Sequence, residues 1–316
     1  MNKTRIFLQI TAGIVIIAYI LNKLDINELI TVLRKTNLFN FFLACVSYLC
    51  LNFVLAYRLN YLLAKIGYNL KFPAVFKSHM GGMIVGDITP GRGGYFLTPL
   101  LLKKSAGTRI TDGMVCIFAP QGIELILKVA GAVAAILYIS QKADISEKIL
   151  ASAGIGAALL LVAGILMLII SWYDEKMTSK FLKILPFFNK FTEKLSFFKE
   201  RSIQIKNSID AILILYLVGW GFAALQWYNL GLSLGITELS FFAFFLLHPL
   251  ITILMFLPVS PAGLGLMEGG VIVVFSLLGI PAATGMAFSV LVRVSILLVD
   301  LIGLKMVLSS VKDFSG

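Results

Sequence analysis

Six ionisable side chains stand inside otherwise apolar stretches of the sequence: Asp87, Arg92, Glu124, Glu268, Arg293 and Asp300. A charge at membrane depth is costly, so each needs a partner or a function. Asp87-Ile-Thr-Pro-Gly-Arg92-Gly-Gly places an acid and a base around a Pro-Gly turn. The two can neutralise each other. Alternatively Arg92 offers its planar fork to a phosphate, and the neighbouring glycines let backbone amides approach the same anion. No GK[ST] follows, so this is not a Walker loop. In Pro258-Val-Ser-Pro-Ala-Gly-Leu-Gly-Leu-Met-Glu268 a carboxylate follows a Gly/Pro-rich turn. There the dipole of the next helix stabilises an anion. Arg293 lies deep in the last apolar stretch and needs a counter-charge, for which Glu268 is the best candidate. Asp300 follows two turns later on the same helical face, where it lines the same cavity. Glu124 and Lys128 have the favourable i,i+4 order and read as a local helix pair.

Catalysis has no positive support. The sequence shows no Ser-His-Asp arrangement, zinc motif or dinucleotide fingerprint, so no catalytic residue, metal or cofactor is expected. His79 and His248 are far apart in sequence, and Cys45, Cys50 and Cys116 form no CxxC. Buried, reduced thiols account for the cysteines.

The elements that carry these charges are membrane helices. Hydrophobic residues make up 59% of the 316 positions and charged residues 14%, with a mean hydropathy of +0.94. A helix needs about 20 apolar residues to cross the hydrocarbon, because lipid offers its backbone no hydrogen-bond partner. Such runs occur at 6–22, 38–57, 110–139, 149–172, 210–231, 239–257 and 282–308. Gly and Pro break two more, 73–104 and 258–280, each of which either crosses or re-enters. The expected fold is an all-α polytopic membrane protein in a single integral domain. It has about seven to eight transmembrane helices plus the two broken segments, the usual place to look for a transport site.

The net charge of +11 sits in loops and at segment ends. The positive-inside rule and anionic lipid headgroups explain it, and no basic stripe interleaved with aromatics points to nucleic acid. Arg58, Lys65, Lys71 and Lys77 put 58–77 in the cytoplasm, as eight Lys or Arg against four acids do for 173–209. Lys3 and Arg5 precede an apolar run with no small-x-small cleavage site, so an uncleaved first span with a cytoplasmic N-terminus is expected, in the plasma membrane. Within the linker, Phe187, Phe188, Phe191, Leu195 and Phe198 form one helical arc flanked by Lys190, Lys194 and Lys199. That pattern predicts an interfacial helix with snorkelling lysines.

The two broken segments resemble each other. Thr89-Pro90, Gly94, Gly107, Gly113 and Met114 match Ser260-Pro261, Gly265, Gly279, Gly285 and Met286 at an offset of 171 to 172 residues. Repeat units around 73–139 and 258–308 are expected. Four intervening spans would make them parallel, and a unit that crosses would invert the relation.

Pro90-Gly-Arg92-Gly-Gly94 with Leu100-Leu101-Leu102-Lys103-Lys104-Ser-Ala-Gly107 resembles the first signature of the lysylphosphatidylglycerol synthase transmembrane region family. Pro258 to Glu268, with Gly279-Ile-Pro281 and Val292-Arg293, is similar to its second. Where the family has an acid and, three residues on, a base, this chain has Tyr95 and Thr98. Their joint replacement alters the cavity's charge without stranding a partner. The resemblance implies the flippase half of proteins that make and translocate aminoacylated phosphatidylglycerol. The chain carries no cytosolic aminoacyl-transferase domain, so lysyl transfer by it is not expected. The expected function is transport of an anionic lipid or a polyprenyl-phosphate-linked glycan. Arg92 and Arg293 engage the phosphate, and Asp87, Glu268 and Asp300 balance that charge. The alternatives are a non-transporting subunit of a membrane-enzyme complex and a membrane-embedded enzyme. A homo-oligomer or membrane-enzyme partner is compatible with either.

Overall fold

Long apolar runs, polar caps and Gly/Pro breaks set the element boundaries. The computed structural model describes residues 3–173, 192–257 and 259–312. α1 (Lys3–Lys23) leads to the short amphipathic α2 (Ile26–Arg34), whose first amides are capped by the Asp25 carboxylate. α3 (Leu38–Lys65) starts at the Asn37 cap and runs 28 residues. α4 (Phe72–Asp87) stops before Pro90, which cannot continue a helix, and a 3₁₀ turn (Gly93–Leu97) leads into α5 (Thr98–Ala106). α6 (Ile110–Ser140) and α7 (Glu147–Trp172) follow, then α8 (Thr192–Lys206) and α9 (Ile209–Ser233). α10 (Phe241–Thr252) continues as a 3₁₀ turn (Ile253–Phe256). α11 (Leu266–Leu277), α12 (Ala282–Asp300), a 3₁₀ turn (Leu301–Gly303) and α13 (Leu304–Lys312) end the described chain. Among the described residues there is no β-strand, and five helical stretches are long and apolar enough to cross a membrane. They are Leu38–Lys65, Ile110–Ser140, Leu150–Trp172, Ile209–Ser233 and Ala282–Ser309. The protein is an all-α, multi-pass membrane protein.

The 239–257 run differs from its sequence reading. Its helix is only 12 residues long before the 3₁₀ turn, and it belongs to a hairpin with α11. Gly270 of α11 packs directly against Leu254 and Ile251. The first broken segment makes the same shape: Gly81 and Gly82 of α4 pack against Leu101 and Thr98 of α5. The missing glycine side chains let both hairpins close.

Corresponding elements recur at a constant interval. α3 and α9 begin 171 residues apart, at Leu38 and Ile209, and α6 and α12 begin 172 apart, at Ile110 and Ala282. α3 and α9 lie against each other and run antiparallel. The Asn37 amide at the start of one donates to the Ser233 carbonyl at the end of the other (2.8 Å), and Gly219 packs on Leu51 between them. The parallel relation expected from four intervening spans is therefore not the one the packing makes. Three long helices, not four, separate the hairpins, because 241–256 is itself a hairpin limb.

The expected interfacial arc is only partly visible. Phe187, Phe188, Phe191 and Lys190 lie outside the described residues. Phe198, on α8, is buried against Phe118 of α6, and Lys199 is buried with its ammonium on the Tyr173 carbonyl. This end of the arc faces protein, because α8 packs into the angle between α6 and α7.

Candidate functional site

The two hairpin turns meet at their tips. Pro90 and Pro261, which are 171 residues apart, form an isolated antiparallel bridge, and the Ala262 amide donates to the Thr89 carbonyl at 3.0 Å. Both turns place two consecutive residues in the left-handed region: Gly91 and Arg92 (φ 59° and 54°), and Ala262 and Gly263 (φ 41° and 67°). Arg92 thus holds the conformation that glycine holds in the other turn. A left-handed arginine costs on the order of 1 kcal/mol or more and persists only when its surroundings enforce it. Thr89 does part of that work: its hydroxyl donates to the Val85 carbonyl (3.0 Å) and accepts from the Gly94 amide (2.7 Å). The Arg92 guanidinium donates to Asp87 at 2.5 Å, the pairing that the spacing suggests.

Arg92 lines two adjoining cavities. One, of about 230 Å³, is bounded by Arg58, Tyr95, Gln121, Glu124, Leu160 and Phe256 among others. The second, of about 90 Å³, also reaches Tyr48, Lys128, Trp227 and His248. Lys128 lies 3.6 Å from Glu124, donates to the Thr252 hydroxyl at 3.2 Å and sits over the Phe256 ring. The local Glu124–Lys128 pair is therefore also part of the cavity wall.

Arg58 was legible only as a loop cation, because the second span, 38–57, was expected to end just before it. α3 continues to Lys65, so Arg58 is a buried helical residue. The apolar run Leu59, Leu62 and Leu63 after it is the signal that the helix goes on. One Arg58 nitrogen (Nη1) and the Gln121 amide nitrogen (Nε2) are buried without a hydrogen-bond partner. Unmet buried donors are expensive, so a site lined by them suits an acceptor-rich ligand. Three cations line the joined cavities, with Glu124 the one acid among their lining residues.

An apolar groove of about 520 Å³ opens beside them, walled by α6, α7, α10 and α11. It runs from Lys148 and Ser152 at one rim to Leu160, which it shares with the Arg58–Arg92 cavity.

Glu268 and Arg293 pair with each other, as expected, but away from those cavities. Arg293 donates to both Glu268 oxygens, through Nε and through Nη2 at 3.2 Å. Glu268 also accepts from the Gly265 amide at 2.7 Å, and Arg293 approaches the Ala262 carbonyl at 3.5 Å. Together they hold the second turn. Neither is among the residues lining the Arg92 cavities. Asp300 does not share a wall with Arg293. It is fully buried beside Asp87 and accepts from the Tyr48 hydroxyl at 3.1 Å.

Tyr95 has its hydroxyl 3.0 Å from His79 Nδ1, while His79 Nε2 lies 3.0 Å from the Asn52 side-chain oxygen. The network assigns the imidazole proton to Nε2, with Tyr95 donating to Nδ1. Thr98 donates to the Tyr95 carbonyl at 2.7 Å. Neutral hydrogen bonds thus occupy both positions. No cluster of three or more metal-ligating side chains occurs among the described residues.

The family description "Lysylphosphatidylglycerol synthase TM region" matches residues 6–303. The chain belongs to this family. It is also similar to a UPF0104 membrane protein of Methanocaldococcus jannaschii, with 26% identity over 213 residues, or 67% of this chain and 87% of the relative. The matched region of this family member includes both hairpins, Arg58 and every charged residue of the central cavities.

Proposed function

We propose that this chain moves an anionic membrane lipid, a phospholipid or a polyprenyl-phosphate-linked glycan, across the bilayer. The phosphate engages Arg92, Arg58 and Lys128, and the apolar chain lies in the groove between α6, α7 and the second hairpin. The observation that carries this reading is the junction at Leu160 of a cationic cavity with an apolar groove. A soluble anion has no use for such a groove, and a neutral lipid has none for three converging cations. Arginine's planar fork suits phosphate, and the low surrounding polarity strengthens each charge-assisted bond. Arg293 and Glu268 keep the second turn in shape, and they act on the substrate through that turn. The cytoplasmic side is assigned to the base of the first hairpin, with the N-terminus on the same side in the plasma membrane.

Reconstituted vesicles carrying fluorescent phosphatidylglycerol test the proposal. Arg58→Ala and Arg92→Ala are each expected to slow translocation by about tenfold or more, equivalent to about 1.4 kcal/mol of lost stabilisation. Equal transport by wild type and the Arg58→Ala/Arg92→Ala double variant overturns the assignment. No transport by any form, with a stable co-purifying membrane enzyme, supports the alternative of a non-transporting subunit.

A further inference from the structure

Two buried carboxylates face each other at the inner end of the first hairpin. Asp87 closes α4 with a side chain 5% exposed, and Asp300 closes α12 fully buried. They are linked through one cluster: Arg92, which pairs with Asp87, lines the same cavity as Tyr48, which donates to Asp300. Asp87 Oδ1 accepts from Arg92, and Asp300 Oδ2 accepts from Tyr48. The remaining oxygens, Asp87 Oδ2 and Asp300 Oδ1, are both buried with no partner. One proton resolves both vacancies. Held between the two carboxyls, it removes one of the two like charges and leaves the Asp87–Arg92 pair intact. Without it, two like charges share a dry site with a single guanidinium.

We propose that Asp87 and Asp300 form a proton-binding site, and that its occupancy is coupled through Arg92 to anion binding in the adjoining cavity. The coupling rests on the transport reading above, whereas the proton site stands without it. When a phosphate draws Arg92 away, Asp87 loses its counter-charge and the pair holds its proton more tightly, so the fraction not yet protonated takes one up from solvent. Linkage requires the reverse as well, so protonation favours the anion. The groups facing Asp300 are Asp87 of α4, Arg92 of the first turn and Tyr48 of α3. On the other elements packed against α12, Glu268 of α11 is committed to Arg293, and Glu28 and Arg34 of α2 and Lys305 of α13 are exposed. α9 offers the neutral Gln226, which donates to Ser295 at 2.9 Å. A guanidinium in the cluster disfavours a metal cation, and the donors fit a proton.

Infrared difference spectroscopy of the purified protein reads the site directly. The carbonyl stretch of a buried, protonated carboxylic acid is expected in wild type at neutral pH and absent in Asp300→Asn. Asp87→Asn serves as the second variant should Asp300→Asn fold poorly. The coupling is read from binding of dihexanoyl phosphatidylglycerol, whose phosphate charge is constant over the range. Its affinity is expected to fall about fivefold or more between about pH 6 and pH 8, and to lose that dependence in Asp300→Asn. No protonated-acid band in wild type overturns the proton site, whatever happens to transport. A band together with pH-independent affinity overturns the coupling. Affinity that follows sodium and not pH replaces the proton by a cation.

Discussion

Arg92 is the residue on which the central site turns. It lies in a strained backbone conformation, pairs with Asp87 and borders both cavities, so one side chain connects the turn, the acid pair and the anion site. The Asp87–Arg92 and Glu268–Arg293 pairs were legible because short spacing, or a fold-back between neighbouring segments, left few other partners. Arg58 was not, since one misplaced helix end moved it from cavity to loop. Asp300 was assigned by helical face to the cavity of Arg293, but it stands at the end of α12, where α3 brings Tyr48 onto it. The energetics of the second pair can be tested. Arg293→Ala leaves Glu268 buried and without its fork, and should cost about 3 kcal/mol, seen as a lowered midpoint of unfolding in detergent. Glu268→Ala/Arg293→Ala should cost less than the sum of the single variants, because neither charge is then stranded.

At the scale of elements, close approach decides which substitutions the fold accepts. The turn after α12 crosses α4 at Gly303, where an added Cβ would stand 2.2 Å from the Met80 carbonyl carbon. Backbone cannot yield there as a side-chain tip can. Gly303→Ala should therefore destabilise by about 2 kcal/mol or more, read from the same unfolding transition. Gly221, on α9, has nothing within 4 Å of an added Cβ. Gly221→Ala should be neutral or stabilise by up to about 1 kcal/mol, since alanine is the better helix former. The hydropathy of 239–257 could not separate a crossing helix from a hairpin limb. Both are apolar, and only the packing of Gly270 against the limb distinguishes them.

The whole molecule is organised around the contact between Pro90 and Pro261. Antiparallel packing of α3 on α9 and tip-to-tip hairpins put the bases of the hairpins at opposite ends of the bundle. We read this as an inverted repeat, the arrangement in which transporters place a site between two related halves. Single cysteines at the exposed Lys103 and Ser276, in a background lacking the three native thiols, should label from opposite faces of intact vesicles. Labelling of both from one face would exclude the inverted arrangement. The halves have diverged in chemistry. At the 172-residue offset of α6 and α12, Gln121 corresponds to Arg293 and Lys128 to Asp300. One half thus supplies cations to the cavity, and the other supplies the acid beside Arg92.

The sequence by itself determined the membrane character, the helical composition and the two breaks, and it offered Asp87–Arg92 and Glu268–Arg293 as candidate pairs at them. Hydropathy, capping and Gly/Pro punctuation act over a few residues, so they can be read along the chain. Only the tertiary structure decided that the breaks touch, that the halves run antiparallel and that Arg58, Arg92 and Lys128 converge. Those relations join residues far apart in sequence through side-chain packing, and no local pattern encodes which apolar faces will meet.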